Sequence, residues 1–242
     1  MQSADIIDYQ IHGDVMEILE IELDPGEAVQ AEPGSMIFME DGIEMQTGTG
    51  GGFLSGLKRK ITGEDFFISK FAHKGKGKSK VGFAGPYPGT IVPINLHEHR
   101  GAFICQRDSF LTCANGIKVS IHLNKKIGSG LFGGEGFILQ KLEGVGMGFI
   151  CTGGNVLERD LKAGERLRVE TGCVAGFTAG MGFDIEYVGG FLNPIFGGEG
   201  LFVSTITGPG TVYIQSMPFQ HLVDAIGCAF ERSGVKGQHL RK

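Results

Sequence analysis

Two histidines flanking one residue, His97 and His99 around Glu98, are the side chains best suited by type to hold a metal ion. On a strand, positions i and i+2 share a face, so both imidazoles would reach one cation, as in cupin-type metal sites. The chain continues Arg100-Gly101-Ala102-Phe103-Ile104, which supplies no third ligand, and only the fold could bring His122 or His221 near. The pair is therefore read first as a solvated loop, and a cupin-like metal- or small-molecule-binding enzyme using His97 and His99 stands as the alternative. Ala72-His73-Lys74-Gly75-Lys76-Gly77-Lys78-Ser79 fits a relaxed phosphate loop with Ala in place of the first Gly. Such a loop needs a helix N-terminus after it, whereas Lys80-Val81-Gly82-Phe83-Ala84-Gly85-Pro86 reads as strand and turn. Glu64, Glu135 and Glu199 recur after a glycine. They would either ring a pseudo-threefold axis and bind a cation, or accept backbone N–H groups of their own glycine turns, and the second reading is favoured. No catalytic residue, cofactor or metal ligand is assigned, and the chain is read as a non-enzyme.

Charge and apolar surface offer two interaction readings. Residues 58–80 hold Lys58, Arg59, Lys60, Lys70, Lys74, Lys76, Lys78 and Lys80 against only Glu64 and Asp65, in a chain of net charge −5. Such a segment could meet phosphates or anionic head groups, but the acidic total and the lack of interleaved aromatics make nucleic acid an unlikely partner. A Lys-rich hairpin tip that prevents edge pairing is preferred. Three Gly-rich links carry Phe53, Leu54 and Leu57, then Leu131 and Phe132, then Phe191, Leu192, Ile195 and Phe196. Gathered at one end, with Lys58, Arg59 and Lys60 beside them, they would form a protein- or membrane-contact patch; otherwise they plug the core. Five cysteines (Cys105, Cys113, Cys151, Cys173, Cys228) show no CxxC spacing and are read as small buried hydrophobes in a reducing compartment.

These residues must be positioned by many short strands. Glycine is the compositional outlier, at 42 of 242 residues, without a collagen period and with only 8 Pro, as expected of abundant turns. One pattern occurs three times. Asp41-Gly42-Ile43-Glu44-Met45, Asn115-Gly116-Ile117-Lys118-Val119 and Met181-Gly182-Phe183-Asp184-Ile185 each precede a Gly-rich link. Each link leads into a Gly-Glu-x element with three apolar residues, at Gly63, Gly134 and Gly198. Alternation such as Ile117, Val119, Ile121 and Leu123 against Lys118, Ser120 and His122 has period two. The chain is thus read as one all-β domain, 1–242, of three pseudo-repeated sandwich or barrel units, about 10–89, 90–160 and 161–217. A C-terminal helix over 218–234 shows Phe219, Leu222, Val223, Ile226 and Phe230 at helical spacing and should pack on the barrel or on a partner subunit.

Leu23-Asp24-Pro25-Gly26-Glu27, Ala31-Glu32-Pro33-Gly34-Ser35-Met36 and Gly42-Ile43-Glu44-Met45, with Gly134-Glu135-Gly136 and Gly198-Glu199-Gly200, resemble the family of the mitochondrial biogenesis protein "altered inheritance of mitochondria twenty-four". The resemblance spans roughly residues 10 to 230. It implies a fold similar to the trp RNA-binding attenuation protein and a fungal relative at the mitochondrial inner membrane, and it brings no active-site residues. The expectation is a cytoplasmic, self-associating scaffold or binding module, a homo-oligomer that contacts a protein partner or an anionic membrane surface.

Overall fold

The computed structural model describes residues 4–48, 68–125, 136–188 and 201–232. After β1 (Asp8–His12) one six-strand unit occurs three times. The first unit holds β2 (Ile18–Leu23), β3 (Ala28–Ala31), β4 (Met36–Met39), β5 (Ile43–Gly48), β6 (Ile68–His73) and β7 (Ser79–Ala84). The second holds β8 (Gly89–Asn95), β9 (Ala102–Gln106), β10 (Phe110–Ala114), β11 (Lys118–Lys125), β12 (Phe137–Glu143) and β13 (Met147–Gly153). The third holds β14 (Val156–Leu161), β15 (Arg166–Glu170), β16 (Val174–Thr178), β17 (Gly182–Val188), β18 (Leu201–Thr207) and β19 (Gly210–Gln215). A helix, α1 (Phe219–Arg232), follows. The protein is therefore all-β with one C-terminal helix. The third unit begins at Val156, not at 161, because the strand that the sequence boundary would cut is continuous.

Alternation sets the faces. In β2, Leu19, Ile21 and Leu23 are fully buried, while Glu20 and Glu22 point away. The sheets are shared between units. The order β5-β6-β3-β10-β13-β8 joins half of the first unit to half of the second, and β11-β12-β9-β16-β19-β14 repeats the arrangement between second and third. The junction strands pair antiparallel, Ala31 opposite Thr112 and Cys105 opposite Gly176. By the same rule β15 would pair with β4, yet the two halves stay apart as β1-β2-β7-β4 and β15-β18-β17. All three strands of the β4, β10, β16 set carry a bulge at the same place, between Met36 and Phe38, Phe110 and Thr112, and Val174 and Gly176.

That register corrects one sequence alignment. The positive-φ glycine of the turn after each bulged strand is Gly42 (φ 90°), Gly116 (103°) and Gly180 (90°), so Gly180, not Gly182, is the third equivalent. A two-residue slip leaves the apolar face unchanged, which is why alternation could not detect it.

The units meet through backbone. Gly89 bridges both Met16 and Gly154, residues that precede the first strands of the neighbouring units. The approach is so close that a Cβ on Gly89 would collide with the Thr152 carbonyl, and one on Gly153 with the Met217 carbonyl. Gly153→Ala is therefore expected to lower stability by about 1–3 kcal/mol, read as a shift of the denaturant midpoint at unchanged slope; an unshifted midpoint would refute this close-packing account.

Candidate functional site

The turns that enter the bulged strands are equivalent in the three units: Glu32-Pro33-Gly34-Ser35, Gln106-Arg107-Asp108-Ser109 and Glu170-Thr171-Gly172-Cys173. They converge. Gly34, Asp108 and Gly172 line one cavity of about 510 Å³, as do the matching strand ends Ala84, Cys151 and Gln215. Ile37 of β4 lines it too, with Pro218 and Phe219 at the start of α1. Because Ile37 belongs to β4 and Gly172 to the turn that directly follows β15, the two strands left unjoined, the cavity lies at the open third junction. Leu111 and Ala175, which hold Ile37's place at the closed junctions, are buried, whereas Ile37 is 48% exposed.

Three polar features furnish the cavity. Gln215 links the units, donating to the Gln106 side chain (3.2 Å) and to the Gly172 carbonyl (2.9 Å) while accepting from the Gly153 N–H (2.9 Å). Glu32 lines the cavity with Arg107 and Asp108, and among the described residues no side chain donates a hydrogen bond to its carboxyl. Burial pushes it up from the ordinary value of 4.5 to about 7, with Arg107 opposing the shift and Asp108 adding to it. Tyr87 stacks on Phe219 (5.4 Å between centroids, 25° between planes) and roofs the opening.

At the third turn the side chains differ from their equivalents. Ser35 donates to the Glu32 carbonyl (2.7 Å), and Ser109 Oγ has no partner among the described residues. The third unit has Cys173, whose thiol donates to Glu170 Oε2 (3.8 Å), and His221 of α1 donates through Nε2 to Glu170 Oε1 (2.7 Å). Burial and the adjacent Glu170 carboxylate push the Cys173 thiol up to about 12. The three potential ligand atoms lie within 4.8 Å of one another. Sequence reasoning missed both the cavity and this cluster; aligning the three turns would have set Cys173 against two serines.

The residues singled out from sequence fall elsewhere. His97 and His99 lie on the turn between β8 and β9, not on a strand, with His97 exposed and His99 buried against Thr178 Oγ1 (2.9 Å). Burial holds the His99 imidazole below its ordinary value. The paired-face argument for a cupin-like site therefore fails. Residues 72–79 run from the end of β6 into β7, strands that belong to different sheets, so the segment is a crossover turn and not the expected hairpin tip. The His73 ring sits inside the turn and contacts the Gly42 and Gly77 carbonyls (3.1 and 2.7 Å). Lys78 pairs with Glu22 (2.6 Å) and Asp8 (3.3 Å), and Lys80 pairs with Glu20 (2.7 Å), so two cations of the Lys-rich segment are matched across the sheet. Cys105, Cys113 and Cys151 are buried as expected; Cys228, on α1, is exposed. Phe53, Leu54, Leu57, Lys58, Arg59, Lys60, Glu64, Leu131, Phe132, Glu135, Phe191, Leu192, Ile195, Phe196 and Glu199 lie outside the described residues. No described helix is long and apolar enough to cross a membrane.

Glu32 gives a pH prediction. Between pH 4.5 and about 7 the folded chain keeps a proton that the unfolded chain has released, so its contribution to stability declines as pH rises through that window and is level above it. Glu32→Gln should remove that slope and leave the variant about 1–2 kcal/mol more stable than the parent at pH 8, measured by chemical denaturation across pH 5 to 8. Parallel pH profiles for the two proteins would show that Glu32 is not the group responsible.

Comparison with known proteins agrees with this architecture. An uncharacterized protein of Streptococcus pyogenes serotype M6 is 27% identical over 217 residues, covering 86% of this chain and 85% of that one. A crystal structure of a Streptococcus pyogenes protein superposes with a TM-score of 0.73 at 24% identity, covering 94% of this chain and 99% of the other, and so shares the fold. The model of the mitochondrial biogenesis AIM24 family matches residues 9–217, which takes in all three six-strand units, and the chain belongs to that family.

Proposed function

We propose that the protein is a non-catalytic binding module that associates with a second copy of itself through the face formed by α1 and the open edge of β4. The observation that carries this reading is the exposed apolar side of α1. Phe219, Val223 and Ile226 recur at helical spacing and are each exposed by more than 40%. Of the two surfaces expected for the helix, the barrel or a partner subunit, the barrel is met where Phe219 stacks on Tyr87, and the exposed Val223 and Ile226 support the partner. A 14-residue helix with Gly227 in its interior has little stability of its own in water, so its apolar stripe calls for a partner surface.

Beside it, β4 presents Ile37, Phe38 and Met39, all exposed, on a strand that among the described residues has a neighbour on one side only. Exposed apolar residues on an open strand edge mark an interaction surface. The two patches are continuous, because Ile37 and Phe219 line the same cavity.

A membrane surface suits the helix less well. Its polar side carries Gln220, His221 and Asp224, and the helix holds a single cation, Arg232, whereas interfacial helices favour Lys and Arg there. A helix pair needs no such charge. In sedimentation velocity the parent protein is expected to run as a dimer or larger species, and Ile226→Asp as a single chain with an unchanged far-UV spectrum. A parent protein that remains a single chain at every concentration would overturn the reading. Cosedimentation with anionic vesicles, lost in Ile226→Asp, would instead identify the face as a membrane contact.

A further inference from the structure

The geometry points to a zinc-binding site formed by Glu170, Cys173 and His221, which fastens α1 to the third unit. The residues come from three places in the fold: the end of β15, the short turn Thr171–Cys173 that follows it, and, four strands later, the first turn of α1. Their ligand atoms already lie within 4.8 Å of one another, Glu170 Oε1 being 2.7 Å from His221 Nε2 and Glu170 Oε2 3.8 Å from Cys173 Sγ. One imidazole nitrogen, one sulfur and one carboxylate oxygen suit Zn²⁺, which takes N, S and O donors tetrahedrally; sulfur and imidazole together disfavour Mg²⁺ and Ca²⁺. Three protein ligands leave a fourth position for water.

The internal repeat supplies the control. The same turn is built twice more with Ser35 and Ser109 at the cysteine's position, so folding the turn does not require a thiol. The third copy alone combines the thiol with a carboxylate, where the second has Gln106, and with an imidazole delivered by an added helix. A bare Glu170–His221 hydrogen bond would dock the helix without any need for Cys173. On binding, the Cys173 S–H proton and any proton on the coordinating His221 nitrogen leave to solvent, and the cation takes their place between the donors.

The site uses residues distinct from the apolar side of α1, so it stands or falls apart from the self-association reading. The test is titration of Zn²⁺ into the full-length protein against a chromophoric chelator, with Co²⁺ as spectroscopic substitute. Uptake of one ion per chain is expected, with at least tenfold weaker binding in both Cys173→Ser and His221→Gln and loss of the thiolate-to-cobalt charge-transfer band in Cys173→Ser. Cys173→Ser copies the residue that the other two turns already carry, so it should fold, and its far-UV spectrum verifies this. No stoichiometric uptake, or uptake that both variants retain, would overturn the proposal. The Ile226→Asp variant should bind Zn²⁺ as the parent does.

Discussion

The architecture rests on backbone pairing between units rather than within them. A single six-strand unit ends in two half-sheets whose inner edges expose N–H and C=O groups, and only the neighbouring unit can satisfy them. Two such unions are made, β3 with β10 and β9 with β16, and each buries every residue of the incoming strand. Three units in one chain provide three donors and three acceptors of this pairing, yet one of each is left over. The cavity, the exposed residues of β4 and the start of α1 all lie at that remainder.

Convergence of three copies places chemically different groups in equivalent positions. Glu32, Gln106 and Glu170 stand at the end of equivalent strands, but their surroundings diverge. Glu32 is held protonated to an unusually high pH by burial, Gln106 is spent on joining the units through Gln215, and Glu170 receives a helix through His221. The scaffold is thus repeated while its interior end is not, and the identity of each side chain there follows from which neighbour it meets.

Much of this was legible in the residues. The three-fold repetition followed from the Gly-Glu-x elements, and a C-terminal helix was expected where α1 lies, because alternation and helical spacing are local signals. What failed was the pairing between distant segments. The third turn was set two residues late, since a strand pattern of period two repeats itself under that slip. For His97 and His99 the preferred loop reading matches the turn on which they lie, and the alternative of a shared face fails because it holds only on a strand, whereas Arg100 and Gly101, both at positive φ, turn the chain there. The Lys-rich segment looked uncompensated because Glu20 and Glu22, its partners, lie some 60 positions earlier.

The two leftover edges differ in kind, and that difference bears on how copies of the chain can assemble. β4 is Met36-Ile37-Phe38-Met39, while β15 is Arg166-Leu167-Arg168-Val169-Glu170. Joining one molecule's β4 to another's β15 would be head-to-tail, and each addition would expose a fresh edge, the geometry of an open filament. Two helices that meet across a twofold axis close on themselves and stop growth at a pair. The charged side chains on β15, together with α1 standing over the gap, favour the finite assembly over the fibre.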